Sequence, residues 1–360
     1  MKIVVNARFL TQPITGTQRF AIELSRKLKI YVPNIEFVCP PSVIHSEIAE
    51  ELEVIKFGVL RQNLLWEQIE LPMYLWSHGN PILLNLCNIA PIMYGKNIAS
   101  ILDLSFHLHP EWFSKQFSLL YNTLIPIIAK RAIRIITISE YSRKDIIRYF
   151  NIPPEKIDIV HPSISSIFEN NKTSKKDITK FGRYILAVSS IDPRKNFLGL
   201  IKAFKLANLN DINLVIVGSK NKVFSDEGIA ELIKDDPSVF FTGYVSDNDL
   251  ASLYKNASLF VYPSFFEGFG IPPLEAMASG CPTIVSNTSS LPEVCGDASL
   301  YVDPHDITNI SETIKKVIND DILRHTLVNR GYNQFKKFSW DGSAKKAAVM
   351  LNNLLKSDFS

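Results

Sequence analysis

The sequence predicts an α/β chain folded as two doubly wound domains, and three observations carry that expectation. Strand-like and helix-like stretches alternate through roughly the first 160 residues, as in a parallel sheet covered by helices. A polar, aperiodic run over residues 163–181 interrupts the pattern and reads as an interdomain linker, after which a second alternation begins. The chain has 360 residues, too many for one ordinary domain. The domains are expected over residues 1–165 and 182–342.

Composition narrows the class. Hydrophobic residues make up 46% of the chain and charged residues 21%, so it is globular with sizeable cores. A formal net charge of +3 is too small to make nucleic acid the main partner. Every run of eighteen residues carries a charge or polar break, so no membrane span is expected. The opening five residues are too short for a signal peptide and read as a strand. Cys39, Cys87, Cys281 and Cys295 lack Cys-x-x-Cys spacing, as expected of reduced, buried thiols in a cytoplasmic protein.

In the first domain, residues 2–7 form a buried strand, with Ile3, Val4 and Val5 apolar. A loop containing Gly16 leads into a helix through about Ile30, capped by Thr15 or Thr17. Gly16 either turns the chain or lets a diphosphate approach the backbone. A dinucleotide fingerprint would need three glycines and an acid after the second strand; residues 35–38 end instead in Cys39-Pro40-Pro41, which disfavours NAD. Residues 54–57 form a weak strand, and residues 60–75 a helix with Leu65, Trp66 and Ile69 inward. Residues 98–102 form a strand that runs into Asp103. An acid there either faces the crevice where open α/β sheets bind ligands or caps the next loop. His107 and His109 follow and are candidates for the same crevice. A helix over residues 114–131 is expected to break at Pro126, and Ser139 to cap another that ends near Phe150. Lys115, Lys130, Arg131, Arg134, Arg143, Lys144 and Arg148 make this region basic, either as a solvated face or for contact with a membrane surface or an anionic lipid carrier.

The second domain opens with the strand at residues 184–188. Its loop carries Ser190 and then Arg194-Lys195 before a helix over residues 197–207. Two cations at a helix start oppose the dipole and make more sense beside an anion such as a diphosphate. The strand over residues 239–242 leads to Gly243-Tyr244-Val245. Asp247 and Asp249 then read as the start of a helix capped by Ser246 rather than a metal site. The apolar run 257–262 precedes the densest motif, Glu267-Gly268-Phe269-Gly270-Ile271-Pro272-Pro273-Leu274-Glu275: strand, glycine loop, helix start. Such a start offers N–H groups to an anion, and the two carboxylates suit the hydroxyls of a sugar or ribose. Strands at residues 283–285 and 300–302, and helices at 309–318, 322–335 and about 339–356, complete the chain.

Together Gly16, Asp192-Pro193-Arg194-Lys195-Asn196, Gly243-Tyr244-Val245 and the Glu267-to-Glu275 loop resemble the family 4 retaining glycosyltransferases of the GT-B fold, over nearly the whole chain. The resemblance implies two Rossmann-like domains facing a cleft, with the donor on the second and a C-terminal helix, residues 343–356, crossing back to the first. It implies that Arg194 and Lys195 hold the diphosphate and that Glu275 binds the ribose. Val245 would lie near the base, and Glu267 with the backbone of Gly268, Phe269, Gly270 and Ile271 would meet the donor sugar. Ser190 and Gly16 join this donor-binding set, Asp103 joins Glu267, Arg194 and Lys195 as catalytic, and no metal or other cofactor is implied. Relatives often carry histidine where this chain has Leu102, so either His107 or His109 substitutes or the histidine is dispensable. The Asp-Pro-Arg-Lys-Asn form is similar to that of bacterial mannosyl- and rhamnosyltransferases of surface-polysaccharide assembly. That similarity implies GDP-mannose first and a dTDP- or UDP-sugar next, with a lipid-linked saccharide as acceptor. A sugar-nucleotide epimerase of the same fold, or a non-catalytic sugar-nucleotide-binding subunit, would share the nucleotide pocket.

Overall fold

Strand β1 (Ile3–Asn6) is buried at all four positions because it takes parallel partners on both sides. In the computed structural model, which describes residues 2–60, 63–87, 89–169, 178–190, 192–218, 231–234 and 236–357, Ile3 lies opposite both Ile35 of β2 (Ile35–Cys39) and Ile82 of β4 (Ile82–Asn85). With β3 (Ile55–Lys56), β5 (Asn97–Ser100), β6 (Arg134–Thr137) and β7 (Ile157–Ile159), these strands form a seven-stranded parallel sheet ordered β3-β2-β1-β4-β5-β6-β7. The order reverses at β1 and β4. The carboxyl ends of those two strands therefore flank the crevice in which such sheets bind ligands. The sheet belongs to a unit made of Met1–Pro162 and Ser339–Ser360. Within it the helix Trp340–Ser357 packs on the helix Gly16–Tyr31, where the Phe20 and Trp340 rings lie 6.1 Å apart and Tyr31 donates to Asp341.

The second unit, Ser163–Phe338, is built on a six-stranded parallel sheet. Its strands are β8 (Tyr184–Val188), β9 (Asn213–Val217), β10 (Val239–Gly243), β11 (Leu259–Tyr262), β12 (Thr283–Ser286) and β13 (Ser299–Val302), ordered β10-β9-β8-β11-β12-β13. Here the order reverses at β8 and β11. The helices Phe197–Ala207 and Ile307–Asn319 bury Leu200, Ile201, Ile310 and Ile314 against one face of this sheet. No helix among the described residues is long and apolar enough to cross a membrane.

Three local expectations are corrected. The helix expected over residues 60–75 excludes Leu60, is described from Asn63 onward, and winds Trp66–Glu70 as a π-helix. The wider turn breaks the 3.6-residue period, so Trp66 and Glu67 go inward while Leu65 and Ile69 are 43% and 49% exposed. The helix Lys115–Arg131 runs through Pro126 without a break, because Ile125, Ile128 and Ala129 on either side are buried in the core. The polar run read as a linker is in part packed: Ile164 and Phe168 are buried and Ser163 Oγ donates to the Phe338 carbonyl at 3.0 Å, while residues 170–177 of that run lie outside the described residues.

Candidate active site

The loops after β8 and β11, neighbours at the strand-order reversal, meet around one buried ion pair. After β8, Asp192 caps a single 3-10 turn, Pro193–Lys195, by accepting from the Arg194 amide at 3.1 Å. Asn196 then takes left-handed φ, 56°, which Asn tolerates better than most residues. Its Oδ1 caps the helix Phe197–Ala207 through the Gly199 amide at 3.2 Å, and its Nδ2 donates to the carbonyls of Pro263 at 3.1 Å and Pro304 at 2.7 Å. One amide side chain thus ties the turn to the ends of β11 and β13, and that fixes where the neighbouring Lys195 emerges.

Lys195 Nζ donates to Glu267 Oε1 at 2.6 Å and to the Tyr262 hydroxyl at 2.9 Å. Ser264 Oγ donates to the same Glu267 oxygen at 2.6 Å. The Lys195 and Glu267 side chains are 7% and 9% exposed. Burial raises the Glu267 carboxyl, but the charges of Lys195 and Arg194 and the hydrogen bonds from Lys195 and Ser264 outweigh it and hold the group below the usual range. Burial, aided by Arg194, lowers the Lys195 ammonium despite Glu267. Arg194 is more open; its Nε lies 3.7 Å from Asp192 Oδ2, and its carbonyl accepts from the Phe265 amide at 2.8 Å and from Ser264 Oγ at 3.1 Å.

Hydroxyls from the end of β12 and the loop after it lace the glycine loop in place. Ser286 Oγ donates to the Ser264 carbonyl, Thr288 Oγ1 to the Phe265 carbonyl at 3.1 Å, and Ser290 Oγ to the carbonyls of Glu267 at 2.9 Å and Phe269 at 2.8 Å. The Glu267 amide donates to Ser289 Oγ at 2.9 Å. Gly270 has φ 111°, and a Cβ there would lie 2.7 Å from Leu291 Cδ2, so this position requires glycine. Gly268 lies between the laced residues, and Phe269 is buried with its ring edge-on to Phe338 at 5.3 Å. The helix Ile271–Ala278 starts directly after Gly270. Pro272 and Pro273 remove two of its four unpaired donors and leave the N–H groups of Ile271 and Leu274. Glu275, on this helix, is buried and accepts from the Tyr254 hydroxyl at 3.2 Å. Ser190 is exposed beyond β8, and Val245 is buried beyond β10 beside Tyr244, which is 89% exposed. The Asp249 amide donates to Ser246 Oγ at 3.2 Å, the helix cap read from the sequence.

The remaining candidates lie in the first unit. Gly16 begins its helix without positive φ and with open space where a Cβ would stand, so neither turn nor packing requires glycine there. Asp103 follows β5 by three residues and accepts from the Ser105 amide at 2.9 Å and hydroxyl at 2.6 Å, the capping arrangement. Asp145 on the helix Glu140–Phe150 is within its electrostatic reach. His107 Nδ1 meets Asn122 Oδ1 at 2.7 Å and its ring is edge-on to Tyr149 and Phe150, while the His109 ring stacks on Trp112 at 3.9 Å.

Sequence reasoning missed Tyr262, Ser264, Asn196 and the hydroxyls at 286–290. Each acts through a contact distant in the chain, and the one available signal was the density of Ser and Thr over residues 286–290. It also missed Arg8 and Glu67, whose Nε and Oε1 meet at 3.1 Å.

Comparison with known proteins adds to this geometry. The family described as Glycosyl transferases group 1 matches residues 168–334. O-antigen chain mannosyltransferase B of Escherichia coli is 30% identical over 368 aligned positions, covering 95% of this chain and 97% of that protein. O-antigen chain mannosyltransferase RfbU of Salmonella typhimurium is 32% identical over 331 positions, covering 88% and 90%. The crystal structure of Anabaena Alr3699/HepE in complex with UDP-glucose superposes with a TM-score of 0.77 at 18% identity, covering 98% of this chain and 100% of that one, a likeness of fold.

Proposed function

This chain belongs to the group 1 glycosyl transferases, and on that premise we propose that it moves mannose, with retention of configuration, from GDP-mannose to a growing lipid-linked saccharide of an O-antigen or capsule type. Supporting the sugar is the similarity, over nearly the full length, to two O-antigen mannosyltransferases. The lipid-linked acceptor draws support from the basic helices Lys115–Arg131 and Glu140–Phe150, which carry Lys115, Lys130, Arg131, Arg143, Lys144 and Arg148 and suit peripheral contact with an anionic membrane face.

In this reading the acceptor hydroxyl attacks C1 from the face that the diphosphate leaves, and its proton passes to the departing phosphate oxygen. The leaving group gains charge, and Arg194 and Lys195 stabilise it. Lys195 shares its ammonium with Glu267, so Arg194 carries the larger part of the phosphate interaction. Glu267, kept ionised by Lys195, meets the donor sugar beside the backbone of Gly268 to Ile271, and Glu275 holds the ribose. Val245 and Ser190 flank the nucleotide, and Gly16 lets a diphosphate approach its backbone. Asp103 serves the acceptor side.

A thermal-shift panel of sugar nucleotides tests the donor, since ligand binding raises stability by mass action. GDP-mannose is expected to give the largest rise, and GDP release with mannosylation of the acceptor to follow addition of octyl mannoside. A larger rise with a UDP- or dTDP-sugar and none with GDP-mannose would overturn the donor assignment. A changed sugar on the nucleotide in the absence of acceptor would favour an epimerase.

A further inference from the structure

The crevice at the carboxyl ends of β1 and β4 holds a second buried ion pair that the reaction above leaves unused. Asn6 ends β1 and Asn85 ends β4, directly opposite in register, and the Asn6 amide donates to Asn85 Oδ1 at 2.9 Å and to Glu67 Oε1 at 2.6 Å. Arg8, two residues past Asn6, donates from Nε to the same Glu67 oxygen at 3.1 Å, and its backbone amide donates to Asn6 Oδ1 at 3.2 Å. The Arg8 and Glu67 side chains are 10% and 1% exposed.

This arrangement is costly. A buried ion pair surrenders the hydration of both charges. Glu67 Oε2 is buried with no hydrogen-bond partner among the described residues, and burial raises the Glu67 carboxyl above its usual range although Arg8 and Asn6 oppose it. Glu67 faces inward from a π-turn at Trp66–Glu70, a distortion frequent at functional sites. Such costs concentrate where a side chain must be held for a ligand.

What the pair holds is the Arg8 guanidinium. Among the described residues its side chain makes one hydrogen bond, through Nε, which leaves both Nη groups of the planar fork available beside Cys87 and Tyr121. Because Glu67 neutralises the cation, the fork suits a neutral partner better than a bare phosphate.

We propose that Arg8, oriented by Glu67 as a positioning residue, binds adjacent hydroxyls of the acceptor saccharide at the strand-order reversal of the first unit. The proposal rests on the transferase reading above.

The test is transfer of mannose from GDP-mannose to octyl α-mannoside by the wild type, Arg8→Lys and the nearly isosteric Glu67→Gln. Acceptor KM, kcat, acceptor-free donor hydrolysis and the thermal shift given by GDP-mannose are measured for each. Lysine keeps the charge but loses the fork, so Arg8→Lys is expected to raise acceptor KM about tenfold or more. Glu67→Gln should raise it by a smaller factor, with donor hydrolysis and the GDP-mannose shift unchanged in both variants. Unchanged acceptor KM in both variants would overturn the proposal. Loss of the GDP-mannose shift would also overturn it and assign Arg8 to the donor. Absence of transfer by the wild type would overturn the function proposed above instead, a separate result.

Discussion

The Lys195 ammonium lies 2.6 Å from Glu267 Oε1, and the two residues stand 72 positions apart in the chain. The pair links the loops after β8 and β11, so its loss should register in both stability and chemistry. Removing one partner strands the other charge in a buried site, at about 3–5 kcal/mol. Lys195→Ala is therefore expected to lower the unfolding free energy in urea by about 3 kcal/mol and to abolish transfer. An unchanged midpoint would show that Glu267 is solvated in the native protein.

Glu267 and Glu275 are assigned different tasks. Glu267→Gln keeps an oxygen for Lys195 but loses the charge, and should lower kcat with donor KM little changed. Glu275→Ala should raise donor KM, with the smaller effect on kcat. Steady-state kinetics in GDP-mannose separates these outcomes, and the reverse pattern would exchange the two roles.

Arg194 is more exposed than Lys195, so its replacement disturbs the fold less. Loss of one charged donor from a developing anion costs about 3–4 kcal/mol. Arg194→Ala should thus lower kcat/KM on the order of a hundredfold or more, with a smaller fall in melting temperature than Lys195→Ala. Near-normal turnover would remove Arg194 from the diphosphate.

Two glycines give opposite expectations. Gly16→Ala meets open space at negative φ and should stabilise the fold by about 0.5 kcal/mol while slowing transfer, since the methyl group obstructs the diphosphate. Gly270→Ala must adopt φ 111° against Leu291 and should lower both the melting temperature and the shift produced by GDP-mannose. A fully active Gly16→Ala would leave that glycine without a role at the donor.

Asp145 should make stability depend on pH. Burial pushes its carboxyl up to about 6, with Asp103 adding to the rise and Arg148 opposing it. An unfolded aspartate titrates near 4, so between about pH 4 and 6 the folded chain keeps a proton that the unfolded chain releases. This contribution is complete below about pH 4 and is lost as pH rises through 6. Melting curves from pH 4.5 to 8 should show Asp145→Asn gaining most over the wild type at pH 8. Parallel curves would mean that Asp145 titrates normally.

Much of the fold was legible in the sequence because buried parallel strands write themselves as short apolar runs. β8 and the helix Phe197–Ala207 lie where their residues place them. The motif from Glu267 to Glu275 announced a loop and helix start through local signals: a glycine, Gly270, where φ must be positive and prolines where N–H groups are dispensable. The same local reading failed at Trp66–Glu70, because a π-turn changes which residues share a face without changing their order.

The sequence by itself determined two doubly wound domains and nominated Arg194, Lys195, Glu267 and Glu275. Only the tertiary structure decided that Lys195 and Glu267 neutralise one another, that Asn196 and the hydroxyls at 286–290 hold them, and that Glu67 is buried against Arg8. Periodicity records which face of an element is apolar. It carries no record of which polar side chains meet once two loops, far apart in the chain, share one sheet edge.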